Sequence, residues 1–86
     1  MIVELTGVAR LRAGRARVDL EASNLAEALA RLIERCPGVV PDVVSRDGEL
    51  GRHFIVSING GPFSRDSTLA LDDGDRLVIV GAQSGG

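Results

Sequence analysis

The residues best suited to chemistry are the last six of the 86-residue sequence, Gly-Ala-Gln-Ser-Gly-Gly at residues 81–86. In extended conformation six residues span at most roughly 20 Å, which is enough to enter the active site of another protein. Gly85 and Gly86 have no side chains to shield the final carboxylate, and a backbone without Cβ atoms fits a narrow channel. The sequence therefore predicts that Gly86 carries the reactive group, and the alternative is an ordinary frayed terminus.

No other residues of the sequence form a recognisable catalytic or metal site. His53 and Cys36 are the only residues of their types, so neither has a second His or Cys at ligand spacing. The acidic run at residues 72–75 lacks the ligand spacing and closing Glu of a calcium loop, and a tight turn is the better interpretation. The chain is therefore predicted not to be an enzyme by itself, and to bind no cofactor and no metal.

Composition indicates one small folded domain, with 44% hydrophobic and 26% charged residues. The net charge of −2 argues against a general polyanion binder. All 10 basic residues are Arg, so the chain offers its α-amine but no side-chain amine, and an amide-forming partner would have to supply the nucleophile. A single Cys, no signal peptide and no apolar run of about 20 residues predict a soluble, cytoplasmic protein without membrane contact.

In the first half of the chain, the apolar residues follow the spacing of two strands and then the spacing of a helix. Residues 2–9 and 16–20 alternate apolar and polar side chains on either side of a glycine, which predicts a hairpin. The clearest helix follows Asn24, a favoured N-cap, with Glu27 three residues later to complete a capping box. One apolar stripe runs along this helix: Leu25, Ala28, Leu29, Leu32, Ile33 and Cys36.

The second half predicts three strands separated by turns. Residues 38–51 form a connection with a short helical turn, and residues 53–58 form a strand. Asn-Gly-Gly at residues 59–61 is a hairpin signal, followed by a brief edge strand near residues 62–63. The last strand covers residues 76–80 and follows another tight turn.

This order of elements predicts an α+β fold of the β-grasp type, a mixed four- to five-stranded sheet packed on one main helix. The first and last strands would pair in parallel at its centre. The domain would cover residues 1–80, and residues 81–86 would be a flexible tail. Because the last strand is apolar on both faces, we expect Leu77 and Ile79 to belong to a partner-binding face, unless residues 39–44 fold across it.

Four arginines surround the predicted first hairpin at alternating spacing and could form a positive patch: Arg10, Arg12, Arg15 and Arg17. The chain has only 2 aromatic residues, which leaves no platform for stacking bases. A solvated strand face is the better interpretation, and nucleic acid is not an expected partner. A β-grasp module that binds nucleic acid or an acidic protein is the alternative.

Residues 71–80, Leu-Asp-Asp-Gly-Asp-Arg-Leu-Val-Ile-Val, and the Gly85-Gly86 pair that follows resemble the closing signature of the ubiquitin-like sulfur carriers. This family includes the carriers MoaD, ThiS and CysO, and the chain is closer to MoaD and CysO in length. The resemblance is specific over residues 52–86, and the first half agrees in element order. Where such tails often carry proline and valine, residues 81–84 read Gly-Ala-Gln-Ser. The delivery partner is therefore open, and a natural-product pathway is one option.

The resemblance implies a mechanism centred on Gly86. An adenylyltransferase related to ubiquitin activators would use ATP and Mg²⁺ to adenylate its carboxylate, and a persulfide would convert it to a thiocarboxylate. The sulfur would then pass to a biosynthetic enzyme's substrate, which could be molybdopterin, cysteine, thiamine or a natural product. Gly85, Ser84 and Gln83 would contact these partners. The alternative within the same chemistry is a protein modifier that forms an isopeptide bond with a target lysine.

Overall fold

The computed structural model describes residues 1–82, in which five strands and two α-helices form one sheet-and-helix unit. The elements follow one another as β1 (Ile2–Leu5), α1 (Gly7–Ala13), β2 (Arg17–Asp19), α2 (Leu25–Arg35), a 3-10 turn (Pro37–Val39), β3 (Phe54–Ile58), β4 (Phe63–Ser64) and β5 (Arg76–Gly81).

The sheet has the strand order β2-β1-β5-β3-β4, with β5 at its centre. β1 and β5 run parallel, so that Leu5 lies opposite Ile79, and β3 runs antiparallel to β5 with Val56 opposite Ile79. The β1–β2 and β3–β4 pairs are antiparallel. The predicted α+β, β-grasp architecture is confirmed, including the parallel pairing of the first and last strands.

Helix α2 supplies much of the core that covers one face of the sheet. Leu25, Ala28, Leu29 and Leu32 are buried along one stripe, as the helical period predicts. At its start the Asn24 side-chain oxygen accepts the Glu27 N–H at 2.8 Å. The Glu27 carboxylate accepts the Ser23 N–H at 3.1 Å, so the capping exchange reaches back one residue further than predicted.

Replacing Asn24 with Ala is expected to lower the free energy of unfolding by about 1 kcal/mol, because the Glu27 N–H loses its acceptor. Ser23→Ala is the matched control, since Ser23 takes part in the cap through its backbone N–H. Urea unfolding followed by circular dichroism measures both. Equal stabilities of the two variants would contradict this role of Asn24.

A second helix stands where the sequence predicted the end of the first strand and a tight hairpin. β1 ends at Leu5, and α1 then turns for two helical turns before Gly14 closes it. Gly14 has φ of 73°, a left-handed conformation that favours glycine, and its N–H reaches the Arg10 carbonyl at 2.9 Å. The predicted strand over residues 6–9 is wrong because Ala9 and the partly buried Ala13 pack on the core at helical spacing.

The segment between α2 and β3 packs into the same core as α2. Its 3-10 turn confirms the predicted short helical turn and contacts both α1 and α2. Val39, Val43 and Val44 are fully buried there, together with the inward side chains of β5. This segment therefore completes the covered face of the sheet and does not fold across the other one.

The β3–β4 hairpin confirms the turn predicted at residues 59–61. Asn59 and Gly60 have φ of 53° and 75°, so both central residues adopt the left-handed conformation that a tight hairpin requires. Val56 lies opposite Ser64 across the pair. β4 is an edge strand, as the preceding proline predicts.

Candidate functional site

The candidate site begins where β5 ends. Gly81 lies opposite Phe54 in the sheet, and the Ala82 N–H donates to the His53 carbonyl at 2.6 Å. The predicted boundary after residue 80 is therefore too early, because the chain is held by main-chain hydrogen bonds through Ala82. The predicted tail residues Gln83, Ser84, Gly85 and Gly86 lie outside the described residues.

The two faces of β5 have different environments. Leu77 and Ile79 are 0% exposed and form part of the core under α2. Their assignment to a partner-binding face is wrong, because a side chain without accessible surface cannot contact another protein. Val78 and Val80 point to the opposite face and are half-buried. The sequence of β5 predicts two apolar faces. Only the position of α2 shows which of the two is covered.

The uncovered side of the sheet carries an apolar strip, which we call the open face and define as Val78, Val80, Ile55 and Phe63. Val80 lies opposite Ile55, and Ser57 lies opposite both Val78 and Phe63, so the strip crosses three strands. Phe63 is 61% exposed. An apolar strip on the strand that precedes the predicted site residues is suited to contact with a protein partner.

Ion pairs border the open face on the β1–β2 side. The Glu4 carboxylate lies 3.1 Å from the Arg76 guanidinium and 3.7 Å from that of Arg17. Each such surface pair adds at most about 1 kcal/mol to stability, because water screens the charges. The single carboxylate faces two guanidinium groups, so this border keeps one net positive charge beside the apolar strip.

The turn at residues 72–75 fixes the start of β5. The Asp75 carboxylate accepts the Asp72 N–H at 2.8 Å and the Asn59 side-chain N–H at 2.9 Å. These bonds, the one to the Asp72 backbone first, hold the pKa of Asp75 below its ordinary value. The tight-turn interpretation of this acidic run is confirmed, and no group of three metal-binding side chains occurs within residues 1–82.

A cleft of about 280 Å³ lies beside the end of β5, and we call it the tail cleft. Its lining includes the first residues of α1 and the last of β5: Gly7, Val8, Asp42, His53, Phe54 and Gly81. His53 is exposed there, and its Nε2 accepts the Arg52 Nε–H at 3.4 Å. The chain therefore leaves the fold next to a small cavity with both apolar and ionisable lining.

Helix α1 forms one wall of this cleft and is held from two sides. The Arg12 guanidinium lies 3.1 Å from the Asp42 carboxylate. Gly38 approaches so closely that a Cβ atom there would lie 2.4 Å from the Arg12 carbonyl oxygen, which no side chain tolerates. Sequence reasoning missed α1, although Ala9 and Ala13 at i, i+4 spacing were a weak signal for it.

The structure also shows where the four arginines of residues 10–17 and Cys36 lie. The arginines at residues 10–17 do not share a strand face, because α1 carries Arg10 and Arg12 and only Arg17 lies on a strand. Cys36 is buried at the end of the α2 stripe, which confirms its interpretation as a small core residue. No helix within the described part of the chain is long and apolar enough to cross a membrane.

Comparison with known families decides the classification. The ThiS family matches residues 3–86, which is nearly the whole chain. The protein belongs to the ThiS family. The ThiS-family chain is 30% identical to small archaeal modifier protein 1 (SAMP1) from Haloferax volcanii, over 99% of this chain and 97% of that one, with a TM-score of 0.79.

Two further structures share the fold of the ThiS-family chain at lower identity. SAMP1 from Methanosarcina acetivorans is 23% identical with a TM-score of 0.82, over 99% of this chain and 94% of that one. A chain in the BexX/CysO complex of Amycolatopsis orientalis is 24% identical with a TM-score of 0.79, over 99% and 98%. None of the curated proteins compared with the chain matches it. Together these findings establish a ubiquitin-like carrier or modifier family.

Proposed function

We propose that this ThiS-family chain is a sulfur carrier whose Gly86 carboxylate is adenylated and converted to a thiocarboxylate. The observation that supports this most directly is the extent of the family match, which runs through residue 86 and so includes both terminal glycines. The geometry is consistent with it, since the sheet holds the chain firmly up to Ala82. In this reaction the protein is a substrate of its partners.

The chemistry requires an activated carboxyl group because a free carboxylate is a poor electrophile. An adenylyltransferase with ATP and Mg²⁺ would form the Gly86 acyl-adenylate and release pyrophosphate. The terminal sulfur of an enzyme persulfide would attack the carbonyl carbon and displace AMP, which leaves an acyl disulfide. A second thiol would then cleave the S–S bond, forming a new disulfide and leaving the thiocarboxylate on Gly86.

The number of residues after Ala82 limits how far from the sheet the active site of a partner can lie. The four residues after Ala82 span at most roughly 14 Å when extended. An active site that receives Gly86 must therefore lie close to the end of β5. We propose that Gly85, Ser84 and Gln83 contact its channel and that the open face provides docking surface. The BexX/CysO complex among the similar structures supports binding of a partner enzyme.

The similarity to SAMP1 favours a second candidate, a protein modifier. The same activated Gly86 would then form an isopeptide bond with a lysine of a target protein. Because this chain contains no Lys, its own side chains cannot serve as attachment points for further copies. Conjugates would therefore carry no further copies on the side chains of this chain, and their higher masses in host extracts would distinguish this function.

The intact mass of the chain isolated from its host tests the carrier function. A gain of about 16 Da is expected, because sulfur replaces one carboxylate oxygen. Oxidation of Met1 or Cys36 gives nearly the same shift, so exact mass and fragment ions must place the change on Gly86. An unmodified mass after incubation with ATP, a persulfide donor and candidate activators would contradict the carrier function.

A further inference from the structure

Helix α1 presents two exposed apolar side chains that the fold does not use. Leu11 is 76% exposed and Val8 is 52% exposed. They stand three residues apart and therefore share one face of the helix, while Ala9 on the other side is fully buried. Beside them, Gly7, Arg10, Leu11 and Gly14 line a shallow hollow of about 260 Å³. This face is therefore exposed, slightly concave and mainly apolar.

Charge around this face is positive and not neutralised by the fold. The side chains of Arg10 and Arg15 are exposed and form no ion pair or hydrogen bond with any residue that the structure describes. Arg12, by contrast, is paired with Asp42. We call Val8, Arg10, Leu11 and Arg15 the α1 patch. Its complement is a surface that combines apolar side chains with carboxylates.

The α1 patch adjoins the point where the chain leaves the sheet. Gly7 and Val8 line the tail cleft together with Gly81, and Gly7 also lines the hollow beside Leu11. The Thr6 hydroxyl donates to the Ile79 carbonyl at 3.2 Å, which fastens the start of α1 to β5. A protein that receives residues 83–86 within roughly 14 Å of Ala82 therefore has α1 within its reach.

We propose that the α1 patch binds an acidic segment with apolar side chains on the adenylating enzyme that receives the tail. This inference rests on the proposed function and adds a second contact, separate from the open face. The apolar side chains of the enzyme segment would pack on Leu11 and Val8, and its carboxylates would pair with Arg10 and Arg15. Because α1 is already fixed by Arg12 and Gly38, little ordering is required on binding.

The test is ATP–pyrophosphate exchange by the host adenylating enzyme with this chain as its substrate. Leu11→Asp and the double variant Arg10→Glu with Arg15→Glu are each expected to raise KM for the chain by roughly tenfold or more, with kcat unchanged, because the reacting carboxyl group is untouched. Rising salt should weaken binding of the unmodified chain more than that of the double variant. Arg31→Glu on exposed α2 surface is the matched control and should leave KM unchanged.

Each outcome has a distinct meaning. Exchange with the unmodified chain but unaltered KM in both α1 variants would overturn the α1 contact and leave the carrier function standing. Absence of exchange with the unmodified chain would contradict the carrier function itself. If the arginine variant loses binding to a 20-nucleotide single-stranded RNA while exchange is unaffected, the patch belongs to nucleic acid and the inference is wrong. Melting temperatures show whether each variant is folded. If Leu11→Asp does not fold, the arginine variant decides the outcome, because it leaves the apolar residues intact.

Discussion

A chain that lacks Gly86 is expected to show no ATP-dependent activation and to keep the melting temperature of the full chain. The deletion moves the carboxyl group back by about 3.5 Å, and displacement of a reacting group by even 1 Å can cost about a hundredfold in rate. The fold is expected to persist because the five strands and the core residues that the structure describes all lie within residues 1–82. ATP–pyrophosphate exchange and thermal unfolding measure the two properties.

Gly85→Ala is the matched control for this deletion, since it preserves both length and carboxyl group. Its added methyl group should slow activation by crowding the channel without abolishing it. Undiminished exchange in the shortened chain would refute Gly86 as the reacting residue. Unchanged turnover of Gly85→Ala would show that the channel is wider than two glycines require.

Leu77→Ala is expected to lower the free energy of unfolding by about 3 kcal/mol. Val78→Ala, at the neighbouring position, should lower it by about 1 kcal/mol. Leu77 is 0% exposed on the central strand, so truncation leaves a cavity in the core. Val78 is half-buried on the open face. Urea unfolding measures the two losses, and equal losses would contradict the assignment of the two faces.

The same pair of variants separates stability from binding. Val78→Ala should weaken binding to a partner that docks on the open face, although its fold is nearly unchanged. Leu77→Ala should bind normally at temperatures where it remains folded. The reverse result, with binding impaired by the buried leucine alone, would return the docking role to the covered side of β5.

Features with a local cause could be predicted from the sequence. The N-cap at Asn24 depends on neighbouring residues, and the hairpin at Asn59 and Gly60 depends on which residues tolerate a positive φ. Both are confirmed. The central parallel pair followed from the order of elements, because a β-grasp arrangement leaves its first and last strands adjacent. The cap and the hairpin depend on neighbouring residues alone, and the parallel pair depends on the order of the elements.

Features decided by tertiary packing could not be predicted in the same way. Polar and apolar types alternate only loosely over residues 6–9, which is compatible with a strand. Packing against the core is what selects helix α1. The two apolar sides of β5 looked equivalent in sequence, since only the position of α2 distinguishes Leu77 from Val78. The proposed docking face therefore came from the structure, whereas the proposal for Gly86 came from the sequence and from family resemblance.

The position of β5 links the presentation of the tail to the completion of folding. β5 is the central strand, yet its parallel partner β1 is the first strand in sequence order, and Ile2 lies opposite Arg76. The centre of the sheet therefore closes across almost the whole chain, a non-local contact that makes folding slow relative to local hairpins. A chain in which this pair has not formed lacks the ordered strand that ends at Gly81. Under the proposed function, an activating enzyme that docks on the sheet would thereby select folded chains over unfolded ones.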